Sequence, residues 1–252
     1  MKNDTLRTQL NHRTIRKFKD KEVPEDIYET LIEVAQRTAT SNGMQQSSII
    51  RITDQRIKEE LSLICNQEYV KEIPILLIFI VDNYRNHQIA KEQGLDFENS
   101  GDMDRFFQGF TDGALAAQNI VNAAESLALG TVYFGSILND PGKVIDLLEL
   151  PKYTFPIVGL GIGYPNQKPQ LKPRMDMKMR LFENSYEKKD NYLEEIQDYD
   201  REMRSYYDLR QAHKAMDEFS LQVVDKLKNT SPRRQVLVND IVNQGFDLKL
   251  KK

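Results

Sequence analysis

The chain has 252 residues, a net charge of −3, and 40% hydrophobic against 29% charged residues. That length suffices for one large domain or two small ones, and the near-neutral charge gives no global support to a nucleic-acid or membrane-surface role. Any anion site must therefore be a local gathering of cations. The single cysteine, Cys65, rules out an internal disulfide and points to a reducing compartment. Met1-Lys2-Asn3-Asp4-Thr5 lacks the apolar stretch of a signal peptide. The longest apolar run, Ile73 to Val81, is far shorter than the ~20 residues of a membrane-spanning helix. These features lead us to expect a cytoplasmic protein.

In chain order, Pro24-Glu25-Asp26 opens a helix, with proline in the first turn and acids near its positive end. Ile27, Leu31, Val34 and Ala35 continue it at helical spacing to about Arg37. Thr40-Ser41-Asn42-Gly43 is a polar loop. Ser48 to Ile52 reads as a short strand, and Asp54 is placed to cap a helix carrying Ile57, Leu61 and Ile64. Pro74 to Val81, apolar on both faces, reads as a central strand covered by helices. Gly94, Asn99, Ser100 and Gly101 mark a loop over 93–103.

The longest helix is expected from about Asp104 to Leu129, slim at Gly109, Gly113, Ala116 and Ala123, with Gly130 ending it as the residue just beyond the cap. Thr131 to Phe134 reads as a strand, Gly135-Ser136 as a turn, and Asp140-Pro141 as the start of a short helix through Leu148. Phe155 to Ile162 is a further buried strand. A proline- and lysine-rich loop follows Tyr164-Pro165. Beyond it come helical stretches over Tyr192 to Leu209, Met216 to Lys228 and Arg234 to Gln244. The organisation is an α+β core over 1–165 and a mostly helical C-terminal extension over 166–252, forming one domain together.

Two basic stretches stand out: His12-Arg13-Thr14-Ile15-Arg16 and Lys172-Pro173-Arg174. Arginine offers a planar fork that matches a phosphate, lysine a point charge, and the intervening proline restrains the second pair. Taken alone, each is an ordinary solvated turn. Gly159-Leu160-Gly161-Ile162-Gly163 lacks the third glycine of a dinucleotide fingerprint, and Tyr164-Pro165 blocks the helix that should follow. Those glycines read as close-packing positions within a strand. His12, His87 and His213 are scattered, no carboxylates have ligand spacing, and no G-x-S-x-G elbow is present. Neither a metal site nor a side-chain nucleophile is expected.

The order of features along the chain is more telling than any one of them. His12 to Arg16, Thr40-Ser41-Asn42, Gln45 to Ile52, Tyr133-Phe134-Gly135-Ser136, Asn139-Asp140 and Leu171 to Arg174 follow one another as in the nitroreductase family of FMN enzymes. The chain resembles most the subgroup of oxygen-insensitive NADPH nitroreductases and NADPH–flavin oxidoreductases. The resemblance covers nearly the whole chain, with a looser match in the C-terminal arm.

It implies an FMN-binding fold built on a central mixed or antiparallel sheet flanked by helices, in a homodimer whose two FMN sites draw on both subunits. His12, Arg13, Thr14, Arg16, Lys172 and Arg174 would hold the phosphate and the pyrimidine edge of the flavin. Thr40, Ser41 and Asn42 would contact it partly from the second subunit, and Gln67 would reach the ring edge. Phe134, Gly135 and Ser136 would place backbone N–H groups beside the ring. Arg210, Lys214 and Arg204 are the positional candidates for the NADPH phosphate. The implied activity is ping-pong, two-electron reduction of nitroaromatic compounds, quinones or flavins, with the chemistry carried by FMN and no catalytic side chain. Two departures are visible: Leu138 stands where the subgroup often has arginine, and the arm beyond Arg210 follows another sequence. The competing expectations are a flavin reductase supplying reduced FMN, a flavin-binding redox sensor with little turnover, and a helical structural protein whose basic stretches never meet.

Overall fold

The computed structural model describes residues 3–95, 98–207 and 216–247. The chain divides into two compact units, residues 1–167 with 231–252, and residues 168–230.

The first unit opens with helix α1 (Asp4–Leu10), capped by the Asn3 side chain. Helix α2 (Glu25–Gln36) follows Pro24, its two first-turn acids facing the positive helix end. Strand β1 (Ser47–Ile52) leads to α3 (Gln55–Cys65), whose Asp54 cap accepts from the N–H groups of Arg56 and Ile57. Strand β2 (Ile75–Asp82), α4 (Tyr84–Glu92) and the long α5 (Met103–Ser126) come next. Strand β3 (Gly130–Phe134), α6 (Pro141–Leu147) and β4 (Thr154–Gly163) complete the first pass.

The four strands form an antiparallel sheet in the order β1-β2-β4-β3. Its middle strands are buried on both faces, which explains why they read as unbroken apolar runs. Ile75, Leu77, Phe79 and Val81 pack on one side with Leu31 of α2 and Ala117, Ile120 and Val121 of α5. Leu76, Ile78 and Ile80 pack on the other with Leu61 and Cys65 of α3 and Val144 of α6. The result is a helix–sheet–helix sandwich.

In β4 the register against β2 shifts between Phe79 and Ile80, so Ile157 is an extra residue. The side-chain alternation therefore changes phase: Phe155, Ile157, Leu160 and Ile162 all face the α2–α5 layer. The opposite face after the bulge is left to Gly159, Gly161 and Gly163. A Cβ at Gly159 would lie 2.0 Å from Phe134, and one at Gly161 would lie 2.6 Å from Ile73. The glycines are close-packing positions, as their sequence context suggests.

The expected role of Gly130 as the terminator of α5 is not what the structure shows. Leu127 is the cap and Ala128 takes the left-handed conformation at φ 60°. Ala128 N–H reaches Glu125 O and Leu129 N–H reaches Ala124 O, closing the helix with the paired bonds of a Schellman turn. Gly130 is instead the first residue of β3, small because a Cβ there would sit 2.6 Å from Ile15. Packing, not the cap, selects this glycine.

The second unit holds α7 (Tyr192–Glu195), α8 (Gln197–Ser205) and α9 (Phe219–Lys228). The stretch expected to be one helix from Tyr192 is two short ones with Ile196 between them. Asp200 ties α8 to α9, accepting from Ser220 N–H at 3.0 Å and from its hydroxyl at 2.6 Å. The chain then rejoins the first unit with α10 (Pro232–Gln235) and α11 (Leu237–Asn243), separated by Val236 where one helix was expected. Arg233 anchors this return, holding both oxygens of Asp240 at 2.7 and 3.0 Å and Asp140 at 3.1 Å. Phe246 closes it, its ring 4.9 Å from that of Phe106. Among the described residues, no helix is long and apolar enough to cross a membrane.

Candidate functional site

The first basic stretch runs beside β3 as an added edge. Thr14 bridges Thr131 in parallel, and Ile15 N–H donates to Thr131 O at 2.8 Å. Ile15, 6% exposed, is the anchor that points into the core, which leaves Thr14 and Arg16 half-buried on the other side. His12 Nδ1 lies 2.6 Å from Glu125 Oε1, and the same oxygen accepts from the Thr131 hydroxyl at 2.8 Å. Glu125 thus fixes one face of the imidazole and leaves Nε2 for a ligand. Burial, and then the charge of Glu125, push the nearby Tyr133 hydroxyl well above its usual ionisation range.

Arg13 is the least satisfied group in this stretch. One guanidinium nitrogen donates to Asn11 O at 2.8 Å, but its Nε is buried with no partner among the described residues. A buried charged donor without an acceptor is costly, so an incoming acceptor would be favoured there. Arg16 makes no ion pair among the described residues.

At the far end of β3, Phe134 is 2% exposed and the chain turns out at Gly135, where an added Cβ would meet nothing within 4 Å. Open backbone beside a buried aromatic suits the close approach of a flat ligand. Ser136 Oγ and Tyr69 Oη both bond Gln67 Oε1, at 3.0 and 2.9 Å. The structure therefore brings Gln67, Gly135 and Ser136 together. Along β3, Thr131 and Gly135 stand about 13 Å apart at the usual strand rise. An elongated molecule with an anionic end and a flat end can span that interval.

Thr40, Ser41 and Asn42 lie elsewhere in the same unit. They enter a tight turn in which Asn42 has φ 53° and Gly43 φ 68°. The turn is bound to α5 through Asp112, whereas His12 is bound through Glu125. At 1.5 Å rise per residue these two anchors are about 20 Å apart along the helix. Within one copy of the chain, the turn and the basic stretch are widely separated.

Lys172 and Arg174 belong to the second unit, in an extended loop. Both are exposed, and the Arg174 guanidinium folds back on the carbonyls of Lys172 and Pro173, each at 3.1 Å. Arg204 of α8 forms an ion pair with Glu218. Arg210 and Lys214 lie outside the described residues. Among the described residues no group of His, Cys, Asp and Glu is arranged to hold a metal.

Sequence reasoning missed Glu125, Asp112 and Arg234. Glu125 had a signal, since an acid in the last turn of a helix opposes the helix dipole and needs a compensating partner. Asp112 had one too, as an acid among Gly109, Gly113, Ala116 and Ala117. Arg234 had none: it reaches Gly135 O at 3.4 Å and Asn139 Oδ1 at 3.2 Å across a long sequence separation. Its guanidinium places a cation beside the turn where Leu138 supplies none.

The fold is an α+β sandwich with cations at one end of an edge strand and open backbone at the other. Residues 10–164 match the model of the nitroreductase family, and residues 172–249 match that of the nitroreductase family C-terminal domain. The chain belongs to the nitroreductase family. An NADPH-dependent oxidoreductase of Staphylococcus aureus strain USA300 is 36% identical over 216 residues, covering 84% of this chain and 86% of that protein. The NfrA1 nitroreductase from B. subtilis superposes with a TM-score of 0.88 at 34% identity, covering 96% of this chain and 99% of that one. The NADPH:FMN oxidoreductase from Vibrio harveyi, complexed with NAD+, does so with 0.84 at 32% identity, covering 96% and 98%.

Proposed function

We propose that the chain is an FMN-dependent NADPH oxidoreductase reducing nitroaromatic compounds, quinones or flavins. Family membership and the NADPH-dependent relatives carry the oxidoreductase class. The observation that favours FMN in particular is the buried Arg13 Nε, without a partner among the described residues, in the same short stretch as the oriented His12. A phosphate supplies the acceptors that this donor set lacks.

In this reading His12, Arg13, Thr14 and Arg16 hold the phosphate and pyrimidine end, and Lys172 and Arg174 are assigned to the cofactor on the family resemblance alone. Gln67, Phe134, Gly135 and Ser136 line the ring, and Arg234 adds positive charge beside them. FMN, when bound, supplies two-electron hydride transfer from NADPH to an electrophilic acceptor. The protein's part is electrostatic and steric. Fixed cations and backbone N–H groups aimed at the ring favour added negative charge there, and the open surface at Gly135 leaves one face free for a flat partner. Arg204, Arg210 and Lys214 are assigned to the NADPH phosphate.

A homodimer completes the site. The separation of the Thr40–Asn42 turn from His12 along α5 supports a flavin that meets the two from different subunits. The buried lone thiol supports a reducing, cytoplasmic setting.

The deciding measurement is the visible spectrum of the purified protein before and after anaerobic NADPH. Flavin bands that bleach are expected; a colourless protein that also ignores added FMN would sink the proposal. With donor and acceptor sharing one face, varying both substrates should give parallel double-reciprocal lines, and intersecting lines would refute the shared face. The likeness to the Vibrio harveyi enzyme favours a flavin reductase as second reading. That role requires added FMN to outperform a nitrofuran or quinone as acceptor.

A further inference from the structure

The segment from Thr38 to Ser47 is laid along α5 and bonded to it at several points. Asn119 donates to the Thr38 hydroxyl at 2.8 Å, and Gln46 Nε2 donates to Gln108 Oε1 at 2.7 Å. Between them Asp112, 1% exposed, accepts from Ser41 N–H through Oδ1 at 2.8 Å and from Gln46 N–H through Oδ2 at 3.4 Å. The helix is cut away to allow this approach, since a Cβ on Gly109 would lie 2.3 Å from Gln46 O. From the other side, Asn86 donates to Met44 O at 2.9 Å and Arg85 donates to Gln45 O. The turn is gripped by its N–H groups from α5 and by its carbonyls from α4.

Within that grip the backbone is unusual. Asn42 and Gln45, neither a glycine, have φ of 53° and 51°. Such conformations persist only where the surroundings over-determine them. Asp112 forms no ion pair among the described residues, and its carboxylate is held there by these two backbone donors. A turn that moved away would strand a buried carboxylate, which makes displacement steeply unfavourable.

We infer that Asp112 is a positioning residue of the cofactor site, its carboxylate holding the Ser41–Gln46 turn so that Thr40 and Asn42 meet the flavin in one fixed geometry. The inference rests on the proposed contact of that turn with FMN. Asp112 touches neither cofactor nor substrate and acts through the backbone it binds.

The test is Asp112→Asn in the full-length holoprotein, which keeps shape but replaces one acceptor with a donor facing a backbone N–H. FMN dissociation constant, acceptor KM, kcat at saturating FMN and the urea midpoint are measured together. About a tenfold rise in the FMN dissociation constant is expected, with KM raised and kcat changed much less. The unfolding midpoint of the FMN-free protein should fall as well, because a buried backbone N–H loses its acceptor. A folded variant whose FMN affinity and KM stay within about twofold of the parent overturns the inference. So does a variant in which only the unfolding midpoint moves, because that is a purely structural role. If the variant does not fold, amide exchange of the parent decides: Ser41 and Gln46 should be the slowest amides between Thr38 and Ser47, and rapid exchange there overturns it. A parent protein that binds no FMN removes the flavin reading itself. FMN bound equally well by parent and variant removes only the role of Asp112.

Discussion

Replacing Arg16 with alanine is expected to weaken FMN binding roughly 10- to 100-fold, the loss of about 1.5–3 kcal/mol that a hydrogen bond to a charged group contributes. The effect should be large because the position is held, not merely charged. Ile15, its neighbour, is locked under the flat surface of Gly130, and the backbone is bonded to Thr131 on β3. The guanidinium is therefore delivered at little entropic cost and has no ion pair among the described residues to abandon. Arg16→Lys should recover only part of the loss, because a point charge does not replace a planar fork. Titration of the FMN-free protein by flavin fluorescence reads the change directly. Undiminished affinity in Arg16→Ala would refute the role assigned to it.

Gly159→Ala is expected to cost about 3 kcal/mol or more of folding stability, at the upper end of overpacking penalties. The new methyl carbon would fall 2.0 Å from Phe134 Cε2 and 2.1 Å from Cζ. The ring has little room to swing away: Phe134 is 2% exposed and packs in the layer that holds Ile73, Ile78 and Val132. Relief must come from parting β3 from β4 or from moving the chain that leads into Gly135. Urea unfolding measures the first outcome. Loss of FMN beyond what the stability change explains would report the second, and a variant as stable as the parent would show that the sheet yields more easily than its packing implies.

Much of the fold was legible because its cause was local. The apolar runs of β2 and β4 announce strands buried on both faces, and Asp54 and Asp140 sit where helices begin. What escaped depends on distant partners or on little burial. α1 and α4 bury no residue completely, so neither presents a strong apolar face to the reader of a sequence. The bulge at Ile157 is a property of pairing with β2, and Gly130 looked like a helix terminator because Ile15, which excludes its side chain, lies far upstream. The site divides in the same way. The order of motifs assembles a list of residues that only a fold can join. β3 joins the first basic stretch to Gly135, and α5 supplies Asp112 and Glu125, two carboxylates whose partners are far away in sequence. Arg234 arrives from the C-terminal return and bonds Gly135 O and Asn139 Oδ1, a contact with no local trace.

Cys65 gives the molecule a built-in clock. It is the single thiol in the chain, 2% exposed, and desolvation, opposed by the smaller effect of the nearby Ser136 hydroxyl, pushes its ionisation up to about 11. Only thiolate attacks a disulfide reagent, so at neutral pH the folded protein should stay silent and each labelled molecule should mark one opening of the layer between α3 and the sheet. Labelling as fast as that of a free thiol would show that this layer does not close. The sign with pH follows from the raised value: the stability held by the neutral thiol is complete below the ordinary thiol range and drains away as pH climbs towards about 11. Since Ser136 bonds Gln67, a ligand that tightens this corner should slow the clock, and its rate would count occupancy with no colour or turnover required.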